Sequence, residues 1–535
     1  MKLTLSQTYD VLVIGSGIAG LSAAVEAGKN NCHTAIVSST HLFSGSSFYP
    51  GTWGFGLVGP ENEDDIPDME ETIHRIGCGI ADPHMVHTFV SQINPSICHL
   101  ENMGCVIKKA TQNKEREYIP CFDHKHRNWN GLEAPHLRKT FIEQLKQHNV
   151  IILENYTLID IVTQDKSVVG AIFASQNGFH FFGCKSLILA TGGYGSLFKY
   201  HLCTDDVSGF AHSLALKCGC QLINMEFMQM MPGYLSPARN TIFNEKTFRF
   251  AHFSTSNSES IFTEQEETLL DMRSTYGPFT SRLPSRQIDK KLTSASIHHP
   301  DGVQVSYANA AKNNPPEFIQ VYFDWLASTK KVSVEDTIHI GIFSHAANGG
   351  IRIQDDGWTG IPSLYACGEV TGGMHGADRM GGLSTANGLV FGQRAGYTAS
   401  THALHLSKLI TTTSYELDCY SIHNADEIRK QLQELMYQHA MVIRNEAGLH
   451  FALSELKKIS NTFIRTPSDN IADIVNSKIL EGQLLTATCI LEAALLRKES
   501  RGSHYREDYP NQNPDMTHPI EITYDSELRL HFQLK

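Results

Sequence analysis

Three short segments carry residue types suited to holding phosphate. The first is Gly15-Ser-Gly-Ile-Ala-Gly20. It follows the apolar run Tyr9-Asp-Val-Leu-Val-Ile14 and precedes Leu21-Ser-Ala-Ala-Val-Glu-Ala27, which reads as helix. Glycines at a strand-to-helix turn let backbone N–H groups and the helix N-terminus approach a pyrophosphate. Strand, spacing and helix occur together here, which separates the segment from an ordinary tight turn. The acid expected about 20 residues further on is missing, because the next apolar run ends Ile36-Val-Ser38-Ser39. The ribose is then held differently, or the nucleotide is not NAD. The second segment is Ala190-Thr-Gly-Gly193, and the third is Tyr365-Ala-Cys-Gly-Glu369-Val, followed by Gly373-Met-His375-Gly-Ala-Asp-Arg379-Met-Gly-Gly382. Taken singly, each is compatible with a plain turn. In this order, and split by an insertion, they point to FAD, with one nucleotide half held at each end of a sheet.

These segments need a sheet to position them. Apolar, β-branched runs at 9–14, 33–38, 149–153, 157–162 and 186–190, and a strand-then-turn at 364–370, supply one, and runs of that kind read as strands. Residues 236–340 interrupt them. That stretch is polar and low in sheet signal, with Ser254-Thr-Ser-Asn-Ser-Glu-Ser260 as a loop. From about residue 421 the pattern is helical, in runs 426–448, 450–463 and 471–500, before a β-prone tail at Ile520-Glu-Ile-Thr-Tyr524. No internal repeat is present.

Composition narrows the classes. The 535 residues include 44 Lys plus Arg against 56 Asp plus Glu, a formal charge of −12. A nucleic-acid partner is not expected, since phosphate backbones bind basic surfaces. With 41 % hydrophobic residues the chain is too apolar for disorder. Twelve cysteines are scattered without any CxxC pair, so no zinc ribbon, iron–sulfur cluster or c-type haem is expected, and no metal site. They read as reduced, mostly buried thiols. No apolar run reaches the roughly 18 residues of a membrane span. The first motif begins at Tyr9, too early for a signal peptide. A soluble, cytoplasmic protein is expected.

The sequence resembles the flavoprotein family of L-aspartate oxidase and the flavoprotein subunits of succinate dehydrogenase and fumarate reductase. The similarity spans nearly the whole chain. It includes the segments above, Gly45-Ser-Ser-Phe-Tyr49, His345-Ala-Ala-Asn-Gly-Gly-Ile351, Ser384 to Gly396, and Leu496-Arg-Lys-Glu-Ser-Arg-Gly-Ser-His-Tyr-Arg-Glu-Asp-Tyr-Pro510. The resemblance implies an α/β fold: a Rossmann-like FAD-binding domain (1–235 and 341–420), an inserted α+β capping domain (236–340) and a helical carboxy-terminal domain (421–535). It implies FAD held by Gly15, Gly17, Ile18, Ala19, Gly20, Ser38, Ser46, Ser47, Ala190, Thr191, Gly192, Glu369 and Ser384, with Glu369 on the ribose hydroxyls. The helix after Ser384 would aim its N-terminus at the flavin N1–C2=O edge, where a positive dipole stabilises the anionic reduced ring. A small carboxylate substrate would meet Arg379 and His345, a planar fork beside an imidazole. Arg282 would carry the proton, with Arg286 one helical turn on as the alternative. An arginine is a weak acid, so such a role needs a neighbouring relay.

Several positions depart from the family. Its quinone-linked members attach FAD covalently through a histidine, where this chain has Ser46; FAD is therefore expected to bind noncovalently. The family's Phe-His-Pro-Thr is Met230-Met-Pro-Gly233 here, and a thioether and a hydrogen cannot replace an imidazole and a hydroxyl as donors. An Asp-Gly pair near the adenine is replaced by Phe210-Ala211. The acid that binds the amino group in the oxidases is matched only loosely, by Asp123. The leading expectation is an enzyme of fumarate reductase or succinate dehydrogenase type, exchanging a hydride between flavin N5 and a C=C or CH–CH bond. L-aspartate oxidase is the second, favoured by length and Ser46. A flavin-binding subunit with altered or lost catalysis is the third, and Met231 is its support. Electrons would pass to or from a partner protein, oxygen, a flavin or a nicotinamide.

Overall fold

The computed structural model describes residues 1–52, 55–109, 121–299, 301–406, 412–525, 527 and 529–535. The first strand, Lys2–Ile14, begins earlier than its apolar run, because Lys2–Thr4 pair with Ser414–Glu416. Its buried half runs parallel to Thr34–Val37 on one side and to Gly178–Leu189 on the other. Outside these, Ile151–Leu153 joins Thr34–Val37 and Leu364–Ala366 joins Leu187–Leu189, again in parallel. Strands covered on both faces need apolar residues at every position, and Val11, Leu12, Val13, Leu187, Ile188 and Leu189 are all buried. Thr157–Gln164 and Ser167–Ser175 extend the sheet as an antiparallel meander.

Two helices pack on this sheet and on each other. Helix Ile18–Lys29 lies against helix Leu383–His405. Gly388, Gly392 and Gly396 of the latter recur every fourth residue and so share one face. A Cβ on Gly392 would lie 2.6 Å from Ala19 O, and one on Gly396 2.4 Å from Ala23 O. The helix whose N-terminus faces the site is thus pressed onto the helix of the glycine turn.

The inserted stretch is richer in sheet than its composition suggests. Met228–Ser236, Ile338–Ala347, Val303–Tyr307 and Ala251–Ser254 form a four-stranded antiparallel sheet. Helix Arg286–His298 packs on it, and Phe243, Phe248, Phe253 and Tyr307 fill its core. Met228–Ser236 and Ile338–Ala347 are long and mostly buried but lie largely outside residues 236–340; the two strands within that stretch, Ala251–Ser254 and Val303–Tyr307, are short and alternate buried with polar positions, so its apolar signal was diluted.

Three main helices follow. The first expected run breaks: Ala425–His439 and Glu446–Asn461 are separate, because Asn445 caps the second by accepting the Gly448 N–H at 2.8 Å. The third, Ile471–Leu496, stops short of residue 500. It is long and apolar enough to cross a membrane by length and composition, and 61 % of its apolar window is buried inside the protein. The tail strand Ile520–Tyr524 pairs with Leu222–Ile223, which in turn pairs with Gly350–Arg352. All twelve cysteines are free thiols.

Candidate active site

A cavity of 1950 Å³ lies at the carboxyl ends of the parallel strands, reaching the inserted unit on one side and the helical unit on the other. This is where open α/β sheets bind nucleotides. Gly15, Gly17, Ile18, Ala19, Ser38, Ser46, Ser47, Ala190, Thr191, Gly192, Glu369 and Ser384 line it. Gly20 does not; it lies beneath, where a Cβ would fall 1.9 Å from Gly15 O. Gly15 has φ +112° and a Cβ there would meet Ala190 O at 2.1 Å, so only glycine brings strand, turn and helix this close.

The turn leaves donors facing the cavity. Gly17 caps helix Ile18–Lys29 without a side chain, and the Ile18 N–H is met by Ser47 Oγ at 3.1 Å. Ser46 Oγ and Thr191 Oγ1 are buried without a hydrogen-bond partner among the described residues. Such groups are costly unless a ligand satisfies them. Ser38 Oγ sits 3.0 Å from Ser16 Oγ and donates to His41 O at 2.9 Å. Glu369 accepts the Ala347 N–H at 2.9 Å. Burial raises its pKa, while that bond and Arg379 pull the other way. Phe210 and Ala211 also line the cavity, at the start of helix Phe210–Lys217.

The opposite end is built differently. Helix Leu383–His405 starts at Gly382 (φ +82°) with no side-chain cap, and Ser384 and Thr385 of its first turn line the cavity. Its unspent N–H groups make a positive end suited to developing negative charge. Arg379, 9 % exposed, and His345 line the same wall. His345 owes its aim to a β-bulge. Gln229 is opposite Ala346 but Met230 is opposite Ser344, so His345 is the extra residue. A bulge of this kind redirects a side chain. Burial, and secondarily Arg379, push its pKa down to about 3, and its Nδ1 is buried without a partner among the described residues.

Several residues here escaped sequence reasoning. Gln229 lines the cavity and donates Nε2 to Arg379 O at 3.1 Å. It lies two positions before Met231, so strand alternation alone puts both on one face. Cys121 and Glu245 also line it, and nothing local in the sequence marked them.

Other expected residues are placed elsewhere. Arg282 is not on the cavity wall. Its Nε donates to Asp378 Oδ2 at 2.9 Å and its guanidinium lies 5.0 Å from the Phe122 ring centre. Nη2 is buried without a partner among the described residues. Asp378, held also by Thr280 Oγ1 at 2.7 Å, has its pKa pushed up to about 6 by burial, against the pull of Arg282. Arg286 bonds Ser281 O at 3.0 Å and lies over Tyr505. Asp123 turns away from the cavity into a buried pair with Arg127, 2.9 Å from its Nε, and so is not placed to hold a substrate amino group. Among the described residues no cluster of three or more His, Cys, Asp or Glu is arranged to hold a metal.

The cradle of glycines, the unpartnered hydroxyls and the two uncapped helix ends fit FAD: a pyrophosphate at Gly15–Ala19, and the flavin ring against Ser384 and Arg379. Comparison with known proteins agrees. The model of the FAD binding domain family matches residues 10–251 and 256–385. That of the fumarate reductase flavoprotein C-terminal region matches 429–532. The chain is 28 % identical to a fumarate reductase (CoM/CoB) subunit of Methanothermobacter marburgensis, over 96 % of each. It is also 28 % identical to L-aspartate oxidase of Yersinia pestis, over 97 % of this chain and 100 % of that one. Among solved structures, Mycobacterium smegmatis Sdh1 in complex with UQ1 superposes with a TM-score of 0.83 at 22 % identity, covering 99 % of this chain and 94 % of that one.

Proposed function

The chain belongs to the FAD binding domain family and is an FAD-dependent oxidoreductase; from that premise we propose that it oxidises or reduces a carbon–carbon bond of a small carboxylate. One observation carries the reading. Arg379, His345 and the uncapped N-terminus of helix Leu383–His405 share one wall of a cavity whose other end is the glycine turn. Bound FAD would supply two-electron chemistry, giving or taking a hydride. The protein's residues do the rest. Arg379 grips the carboxylate as a planar fork. His345 is neutral, so it offers one N–H and one lone pair rather than a second charge. The helix end balances negative charge on the ring. Arg282 stands behind the cavity wall, held by Asp378 with its Nη2 unpartnered among the described residues, so it carries the proton only when that side chain reaches the substrate, and Asp378 is the relay such a weak acid requires. A partner protein exchanging electrons with the chain is part of this proposal, supported by the fumarate reductase relative, which is itself one subunit of its enzyme.

The test is direct. Anaerobically reduced holoenzyme is mixed with a panel of α,β-unsaturated acids, and the flavin absorbance is followed. Reoxidation by at least one of them is expected, and it should be lost in Arg282→Ala. Full turnover in that variant would remove Arg282 from the mechanism. Identity to the aspartate oxidases keeps L-aspartate as the rival substrate; peroxide from aspartate and oxygen would favour it.

A further inference from the structure

Beside Arg282 stands a residue whose backbone does not suit its side chain. Phe122 has φ +72°. Most of the described non-glycine residues with positive φ are Asn, Asp, Lys or Ser, and only Phe43 and Phe122 are aromatic. A bulky side chain in that region is an outlier, and such strain persists only where the surroundings impose it. Both neighbours of Phe122 are tied down. The Gly381 N–H donates to the Cys121 carbonyl at 3.2 Å, and the Gly277 N–H to the Cys121 thiol at 3.2 Å. On the other side, Asp123 is held by Arg127 in the buried pair described above.

What this arrangement secures is a ring. Phe122 stacks on Tyr276, with ring centres 5.3 Å apart and planes at 25°. Tyr276 is itself fixed, since its hydroxyl lies 2.5 Å from Ser285 Oγ and Arg273 donates to its carbonyl at 2.6 Å. The Arg282 guanidinium lies 5.0 Å from the Phe122 ring centre, within the reach of cation–π attraction. Cys121 lines the cavity and Phe122 does not, so the ring stands behind the wall with Arg282.

An aromatic holds this cation in a way that a polar partner could not. Asp378 already takes the Arg282 Nε–H at 2.9 Å. A second carboxylate or carbonyl would occupy another N–H. The face of a ring attracts the charge without an aligned N–H, and Nη2 is left without a partner among the described residues. The attraction also has no fixed donor–acceptor line, so the guanidinium keeps it while moving toward the cavity.

Resting on the reading that Arg282 carries the proton, we infer that Phe122 is a positioning residue of the reaction. Its ring holds the Arg282 guanidinium behind the cavity wall with an N–H kept for the substrate.

The test uses reduced holoenzyme and the same panel of unsaturated acids, fumarate and crotonate among them. Phe122→Leu removes the ring, and so does Phe122→Asn, whose side chain suits a positive φ. Each should lower the limiting rate of flavin reoxidation about tenfold, the scale of one desolvated cation–π contact. The half-saturating acid concentration should stay within about twofold, and the solvent deuterium isotope effect on the limiting rate should rise. Phe122→Tyr keeps the ring face and should restore the rate. FAD absorbance and melting temperature show whether each variant is folded and loaded, and Phe122→Asn serves if Phe122→Leu is not. A full limiting rate without the ring, a loss confined to half-saturation, or no rescue by Phe122→Tyr overturns the inference. If Arg282→Ala loses turnover while both ringless variants keep it, only this inference falls. If Arg282→Ala keeps full turnover, or no acid reoxidises the unaltered enzyme, the reading beneath it falls as well.

Discussion

Arg379 and His345 divide one task between a fixed charge and a neutral ring. Replacing Arg379 by Gln removes the charge and the fork, and carboxylate binding should weaken about a hundredfold, the scale of a lost charge-assisted hydrogen bond. Bound FAD should remain, as absorbance of the purified variant would report. His345 has its folded pKa near 3, below the ordinary histidine range. It therefore stays neutral through neutral pH, and carboxylate affinity should show no histidine inflection between about pH 5 and 8. An inflection there that vanishes in His345→Gln would refute this. The sign for stability follows: as pH falls, the unfolded chain takes up this proton first, so the contribution is full above the unfolded pKa and is lost down toward about 3. Sequence reached these two residues through motif position, but not the geometry that makes them useful. The bulge that turns His345 inward depends on how Met228–Ser236 registers against its partner strand. The Arg282–Asp378 pair joins residues 96 apart. Cys121, Met231 and Glu245 reach Gly277 from three separate segments, and no periodicity records such a meeting.

At the scale of elements, the glycine turn was legible because its chemistry is local: a β-branched run, a turn only glycine permits, and a helix. Its tolerance is correspondingly small. Gly20→Ala would force a Cβ to within 1.9 Å of Gly15 O. It should cost about 1–3 kcal/mol, the usual scale of overpacking, and lower FAD occupancy on purification; a variant with full occupancy and an unchanged melting temperature would contradict the packing argument. The inserted sheet was hidden because the two strands inside the stretch, Ala251–Ser254 and Val303–Tyr307, are short and half polar, while the two long ones fall largely outside residues 236–340. The helix break at residues 440–445 was missed because an apolar pattern continues across it, and only the Asn445 cap marks the boundary.

For the whole molecule, the carboxy-terminal segment acts as a clamp on the site. Arg497 is fully buried; it pairs with Glu226 at 2.6 Å and Glu499 at 2.9 Å, and bonds the carbonyls of Met516 and His518. Glu226 lies just before the cavity strand. Glu499 keeps Arg501, but Arg497→Met leaves the buried Glu226 carboxylate without its cation, a loss of about 3–5 kcal/mol, and the melting temperature should fall by several degrees. The weave of the sheets has a separate consequence, for what a protease would find. Residues 256–260, in the turn after strand Ala251–Ser254, are exposed, the kind of place where nicking begins. A cut there would leave Leu187–Leu189 paired with Leu364–Ala366, Met228–Ser236 with Ile338–Ala347, and Leu222–Ile223 with Ile520–Tyr524, each couple shared between the fragments. Two bands on a denaturing gel should therefore elute as one yellow particle under native conditions, neither piece able to leave without unravelling three sheets at once.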